Sequence, residues 1–207
     1  MINIKDVKKK LASKEVLKGV NLEIKKGETI VIIGRSGCGK SVLLKHTIGL
    51  MKPDSGSVLI EDINISERRG HELTEVQKRF GMLFQGAALF DSLTVEENVG
   101  FSLFRHSSMS KREIEKIVRE KLALVGLSGV EKLKPAELSG GMKKRVGLAR
   151  AIAMNPDIVL YDEPTTGLDP IMSDAIDNLI VELKHRINAT SVAVTHDMKS
   201  AYKIGDR

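Results

Sequence analysis

The sequence predicts an α/β protein: a mostly parallel sheet with helices on its faces. Apolar β-branched runs at Ile30–Ile33, Asp157–Asp162 and Ser191–Thr195 read as buried strands. Helical patterns run from about Lys40 and over about 171–186, and strands that alternate with helices imply parallel pairing. A glycine-rich loop, Gly34-Arg35-Ser36-Gly37-Cys38-Gly39-Lys40-Ser41, joins the first of these strands to the first of these helices.

Taken in order, residues 1–33 alternate polar and apolar positions, most clearly in Val16-Leu17-Lys18-Gly19-Val20-Asn21-Leu22-Glu23-Ile24, the period-two pattern of strands. Lys25-Lys26-Gly27-Glu28 turns the chain into the strand before the glycine loop, and Val42-Leu43-Leu44-Lys45-His46 continues as helix. Lys52-Pro53-Asp54-Ser55-Gly56 is a turn, with a strand near Ser57–Ile60. Phe80–Phe84 is a further buried strand, ending at Gln85. From Gly86 the character changes. Ser110-Lys111-Arg112-Glu113 is a capping box, and Ile114, Ile117, Val118, Lys121, Leu122 and Val125 follow at helical spacing. The segment from about 86 to 155 is therefore expected to be a helical insertion in a strand-rich core.

The 207 residues suffice for one large domain or two small ones, and 42% hydrophobic with 29% charged residues is ordinary globular composition. No aliphatic run is long enough to span a bilayer, and Met1–Asp6 has no apolar signal-peptide core. One cysteine excludes an internal disulfide within the sequence. The net charge of +6 is spread along the chain and aromatics are only 3%, which argues for a solvated surface and against a base-stacking nucleic-acid face.

The glycine loop satisfies G-x-x-x-x-G-K-[ST] in the strand–loop–helix setting that this phosphate-binding motif requires. Gly34, Gly37 and Gly39 free the backbone to turn its N–H groups inward as an anion nest opening on a helix N-terminus. Arg35, Ser36, Cys38 and Val42 belong to the same binding segment. Lys40 is expected to reach the β- and γ-phosphates, and the Ser41 hydroxyl to ligate Mg²⁺. Ile158-Val159-Leu160-Tyr161-Asp162-Glu163 is an apolar strand ending in two acids. There Asp162 can hold Mg²⁺ across from Ser41, and Glu163 can activate a water. Cys38, inside the loop, reads either as a small residue at a variable position or as a thiol whose alkylation would block nucleotide binding, the first reading being favoured. His46, His71, His106 and His185 read as surface or core residues.

Leu138-Ser139-Gly140-Gly141-Met142 adds a family. With the phosphate loop, Gln85, Ile158–Glu163, Gly167-Leu168-Asp169 and His196 in this order, essentially the whole chain resembles the ATP-binding-cassette (ABC) ATPases. The resemblance implies a P-loop NTPase core with a mostly parallel sheet, an N-terminal antiparallel β subdomain and an inserted α-helical subdomain. It implies one nucleotide-binding domain over 1–207, with core 1–85 and 156–207 and insertion about 86–155. Family members normally continue with further strands, so the C-terminal part of the usual domain is expected to be missing. Catalytic roles fall to Glu163, His196, Gln85 and Lys40, and Mg²⁺ to Ser41, Gln85 and Asp162. Ser139, Gly140, Gly141 and Met142 would reach the ATP of a second copy in a head-to-tail homodimer formed on ATP, and Asp169 would communicate between the two sites.

Leu11 stands where the family usually has an adenine-stacking aromatic, with Val16 nearby, so base discrimination is expected to be poor. Met142 replaces a commoner glutamine without touching the phosphate-facing amides. The stretch between Gly39 and Glu137 is too short for the coiled coil of a DNA-repair ABC ATPase, and one cassette argues against a ribosome-associated member. What remains is the ATPase subunit of a transporter, held by a separate permease to the cytoplasmic or stromal face of a membrane. Phe84–Val99, with Ala-Leu-Phe-Asp-Ser at 88–92, resembles the ATPases of MCE-type lipid transport systems, which have an MCE-domain partner; an amino-acid importer is the alternative. Leu89 and Phe90 are candidates for permease contact or, equally, for packing inside the helical insertion.

Overall fold

The structure is a computed structural model and describes residues 2–207. The N-terminal strands β1 (Ile2–Leu11) and β2 (Lys14–Ile24) form a hairpin that continues through β3 (Thr29–Ile33) into α1 (Lys40–Thr47). Next come β4 (Ser55–Ile60), β5 (Ile63–Asn64), α2 (Gly70–Gln77) and β6 (Phe80–Leu83). Helices α3 (Val95–His106), α4 (Lys111–Leu124) and α5 (Gly140–Ala151) follow, then β7 (Ile158–Asp162), α6 (Pro170–Ile187), β8 (Thr190–Thr195) and α7 (Met198–Ile204).

The strands divide into two sheets. One is antiparallel in the order β2-β1-β4-β5, and the other is parallel in the order β3-β8-β7-β6. β6, β7 and β8 are buried at every position, as a sheet covered on both faces requires. The antiparallel sheet keeps Ile2, Ile4 and Val7 of β1 in the core, and the bulge at Asp6, with φ of 44°, resets the alternation between Ile4 and Val7. Gly56 faces that bulge so closely that any side chain would overlap the Asp6 and Lys5 carbonyls.

Two cores result. One joins the antiparallel sheet to α1 and one face of the parallel sheet, through Ile4, Leu44, Val58 and Leu160. The other lies beneath the helices, with Val99, Ile114, Val118, Leu122, Leu148 and Ile180. α4 is the helix expected from the capping box: Glu113 accepts from the Ser110 N–H at 2.7 Å, and Ile114, Val118, Leu122 and Val125 are buried. Lys121, on the same face, donates to Asn155 Oδ1 at 2.5 Å. α3 has a second capping box, Thr94 with Glu97. The sequence pattern gave no warning of α2, β5 or α7. α2 has no side-chain cap and buries only Val76, and α7 is two turns long. Among the described residues no helix is long and apolar enough to cross a membrane.

Candidate active site

The parallel order β3-β8-β7-β6 sets the site. The glycine loop leaves the C-terminal end of β3, His196 that of β8, Asp162 and Glu163 that of β7, and Gln85 follows β6. Carboxyl ends of parallel strands are where open α/β sheets bind ligands. A cleft of about 400 Å³ opens there, lined by Leu11, Val16, the glycine loop, Gln85 and Glu163.

Gly39 shows why the loop needs glycine. Its φ is 104°, and a methyl group on it would lie 2.8 Å from Val16 Cγ1 and 3.2 Å from the Val16 carbonyl oxygen. Gly39 also N-caps α1 with no side-chain hydrogen bond, so the first amides of the helix are left for an anion. Lys40 is buried, and its Nζ donates to the carbonyls of Gly34 at 2.7 Å and Arg35 at 3.2 Å and pairs with Glu163 Oε1 at 3.1 Å. Ser41 Oγ donates to Asp162 Oδ1 at 2.8 Å. That hydroxyl, in the first turn of α1, and that carboxylate, at the end of β7, are hard oxygen donors, the set Mg²⁺ takes up together with substrate phosphates. Arg35, Ser36, Gly37 and Cys38 are exposed at the loop crest.

Glu163 is the most constrained residue of the site. Its φ is 49°, the left-handed region that a glutamate enters only when its surroundings hold it there. Oε2 accepts from Thr166 Oγ1 at 3.0 Å and lies 2.7 Å from His196 Nδ1. Burial raises its pKa, but the bonds from Lys40, His196 and Thr166 together outweigh burial and leave the carboxyl below the usual glutamate range. The group is therefore ionised at neutral pH and able to accept a proton.

Ser139 N-caps α5, accepting from the Met142 N–H at 3.3 Å; Ser139 and Gly140 are exposed, and none of Ser139, Gly140, Gly141 and Met142 lines the cleft. Asp169 N-caps α6, accepting from the N–H groups of Ile171 and Met172 at 2.9 Å each. The two helix starts pack together, since a side chain at Gly141 would overlap the Met172 methyl. The amide-rich starts of α1 and α5, by contrast, do not share the cleft: residues of the first line it and Ser139–Met142 of the second do not. His46 is buried on α1 with Nδ1 2.7 Å from the Val42 carbonyl oxygen, while His71, His106 and His185 are exposed.

Sequence reasoning passed over two residues. Thr166 holds Glu163, and Lys144 of α5 is buried with its Nζ on the carbonyls of Gln85 and of Glu163, the latter at 3.2 Å. Burial draws the Lys144 ammonium below the usual lysine range, while Asp162 and Glu163 oppose that shift. In the run Met142-Lys143-Lys144-Arg145 it resembles surface charge. The signal available was its helical phase, three positions before Gly147 and four before Leu148, both buried.

With this geometry in view, residues 17–166 match the family described as ABC transporter. The chain belongs to that family. It is 45% identical over 205 residues to the probable ribonucleotide transport ATP-binding protein mkl of Mycobacterium leprae, covering 99% of this chain and 59% of that protein. It is 42% identical over 206 residues to the intermembrane phospholipid transport system ATP-binding protein MlaF of Haemophilus influenzae, covering 100% of this chain and 78% of MlaF. Its fold is that of the dimeric ATP-binding cassette MJ0796 bound to ADP and Pi, with a TM-score of 0.91 at 38% identity over 100% of this chain and 92% of that one. The chain spans 57–59% of the length of the first curated relatives it matches.

Proposed function

We propose that this chain is the ATP-hydrolysing subunit of an ABC transporter that moves phospholipid or a related lipid through a separate permease. The observation that supports it best is the alignment of Lys40, the Ser41–Asp162 pair and the Glu163–His196 pair along one sheet edge. Lys40 and the loop amides hold the β- and γ-phosphates of ATP. Glu163 accepts a proton from a water as its oxygen attacks the γ-phosphorus, the bond to the β–γ bridging oxygen breaks, and ADP and phosphate leave. His196 keeps Glu163 aimed and offers a donor toward the γ-phosphate. Mg²⁺, held by Ser41 and Asp162 with Gln85 in reach, would neutralise phosphate charge.

Charge develops around the γ-phosphate on more than one side, and the second helix start, at Ser139–Gly141, can supply donors only from a second copy. A twofold head-to-tail homodimer closed on ATP supplies them, and hydrolysis releases it. Permease contact is assigned to an apolar groove of about 500 Å³ between the end of α1, β6 and α3. Leu50 and Phe90 stand exposed in it, and Phe90 meets Phe101 with ring centroids 4.8 Å apart; Leu89 packs instead against the core beneath the helices. Such a groove can take an amphipathic helix of the permease, and a chain docked in that way would lie at the cytoplasmic or stromal face of the membrane. Similarity to MlaF favours a lipid load and, with it, an MCE-domain partner. Reconstituted with its permease in vesicles, the chain should release phosphate from ATP and transfer labelled phospholipid between vesicle populations. Uptake of an amino acid with no lipid transfer would replace the lipid reading with the importer reading.

The base end of the cleft is walled by Leu11 and Val16, which bring apolar surface and no side-chain hydrogen bonds. Apolar walls discriminate weakly between similar ligands. GTP should compete with ATP to within about threefold in KM, and Leu11→Tyr should tighten nucleotide binding roughly tenfold through stacking. Rejection of GTP by the unmodified chain would show that other groups read the base.

A further inference from the structure

We propose that Lys144 is a positioning residue for hydrolysis, fixing the loop at Gln85 and the base Glu163 to one helix by donating to the backbone carbonyls of both. The inference rests on the reading of Glu163 as the base. α5 carries a row of residues three apart facing the segment after β6. Lys144 bonds the Gln85 carbonyl. Gly147, next in the row, lies so close that a methyl group on it would be 2.8 Å from Leu83 Cδ1 and 3.2 Å from Ala87 Cβ. Arg150 ends the row, donating to the carbonyls of Ala88 at 2.7 Å and Ala87 at 2.5 Å.

The clamped segment is strained. Ala87 and Ala88 both have positive φ, 60° and 48°, which alanine adopts only where neighbours over-determine it. Glu163, at the other end of the Lys144 bridge, has φ of 49°. One ammonium with three donors therefore ties the strained Glu163 to Gln85, the residue that leads into the Ala87–Ala88 turn held by Arg150. A carbonyl–ammonium bond suits this task, because it constrains where the main chain lies and leaves the Gln85 amide and Glu163 carboxylate free to act in the cleft.

The row also connects two surfaces. Gln85 and Glu163 line the nucleotide cleft, whereas Ala88, Phe90 and Arg150 line the apolar groove. A rigid-body shift of α5 against the strand edge would break Lys144's bonds and move the base and the loop apart. Displacements of about 1 Å in such geometry lower rates by on the order of 10².

The test uses the full chain with Mg-ATP. Lys144→Met keeps an unbranched side chain of similar volume, one atom shorter, and removes every donor. It should lower kcat by roughly 10- to 100-fold while the affinity for a fluorescent ATP analogue changes less than about threefold. Lys144→Arg, which restores charge-assisted donors, should recover most of kcat. A residue serving only packing would lose binding, turnover and thermal stability together, and Arg would be no better than Met; that result overturns the proposal, as does a Met variant with unchanged kcat. If the Met variant does not fold, Lys144→Gln takes its place: its amide reaches one carbonyl at most, and undiminished kcat there overturns the proposal equally. An unmodified chain that does not hydrolyse ATP sinks the hydrolytic reading and this inference with it, whereas an active chain with an equally active Met variant sinks this inference alone.

Discussion

Glu163→Gln will slow ATP hydrolysis by roughly 10²–10⁴ and leave an ATP-bound dimer that persists on a sizing column. The carboxylate is ionised, 2.7 Å from His196 Nδ1 and 3.1 Å from Lys40 Nζ. Glutamine fills the same volume but cannot accept the proton of an attacking water. It also removes a negative charge that competes with the γ-phosphate for Lys40, so ATP should bind no more weakly than before. Phosphate release and dimer lifetime should therefore move in opposite directions. A variant that turns ATP over at the normal rate would remove Glu163 from the role of base.

Two inactive variants, mixed, will regain activity. Lys40→Met loses the ammonium at the phosphate loop, and Ser139→Arg sets a long side chain at the exposed start of α5. Neither should hydrolyse ATP alone, because every site of each homodimer lacks one half. In a head-to-tail mixed dimer one site collects both lesions and the other collects none. About a quarter of normal activity should return in an equimolar mixture, since half of the dimers are mixed and each has one intact site of two. The exposure of Ser139 and Gly140, and their absence from this chain's own cleft, underlie the expectation. A mixture as inert as its components would mean that one chain completes its site unaided.

The sequence carries the local parts of this site better than their arrangement. Gly34–Ser41 is legible because its glycines and lysine perform a local task that few other residues can. Ser110 and Glu113 announce α4 for the same reason: both halves of a capping box lie within one turn. Asp162 and Glu163 stand out as acids closing an aliphatic strand. By contrast, β8 inserts between β3 and β7, and only this long-range pairing brings His196 between the loop and Glu163. Nothing within either segment encodes that order. Lys144 was hidden because its partners are carbonyls, which every residue has, and α2 because its start uses Arg69 with no side-chain cap.

The backbone at Glu163 carries one more implication. Glycine would sit in that left-handed conformation with less strain, so Glu163→Gly relieves the turn while it deletes the carboxylate. Selection for robustness and selection for the proposed hydrolysis therefore pull against each other at this position, and a chain released from that proposed role would be free to drift toward glycine there.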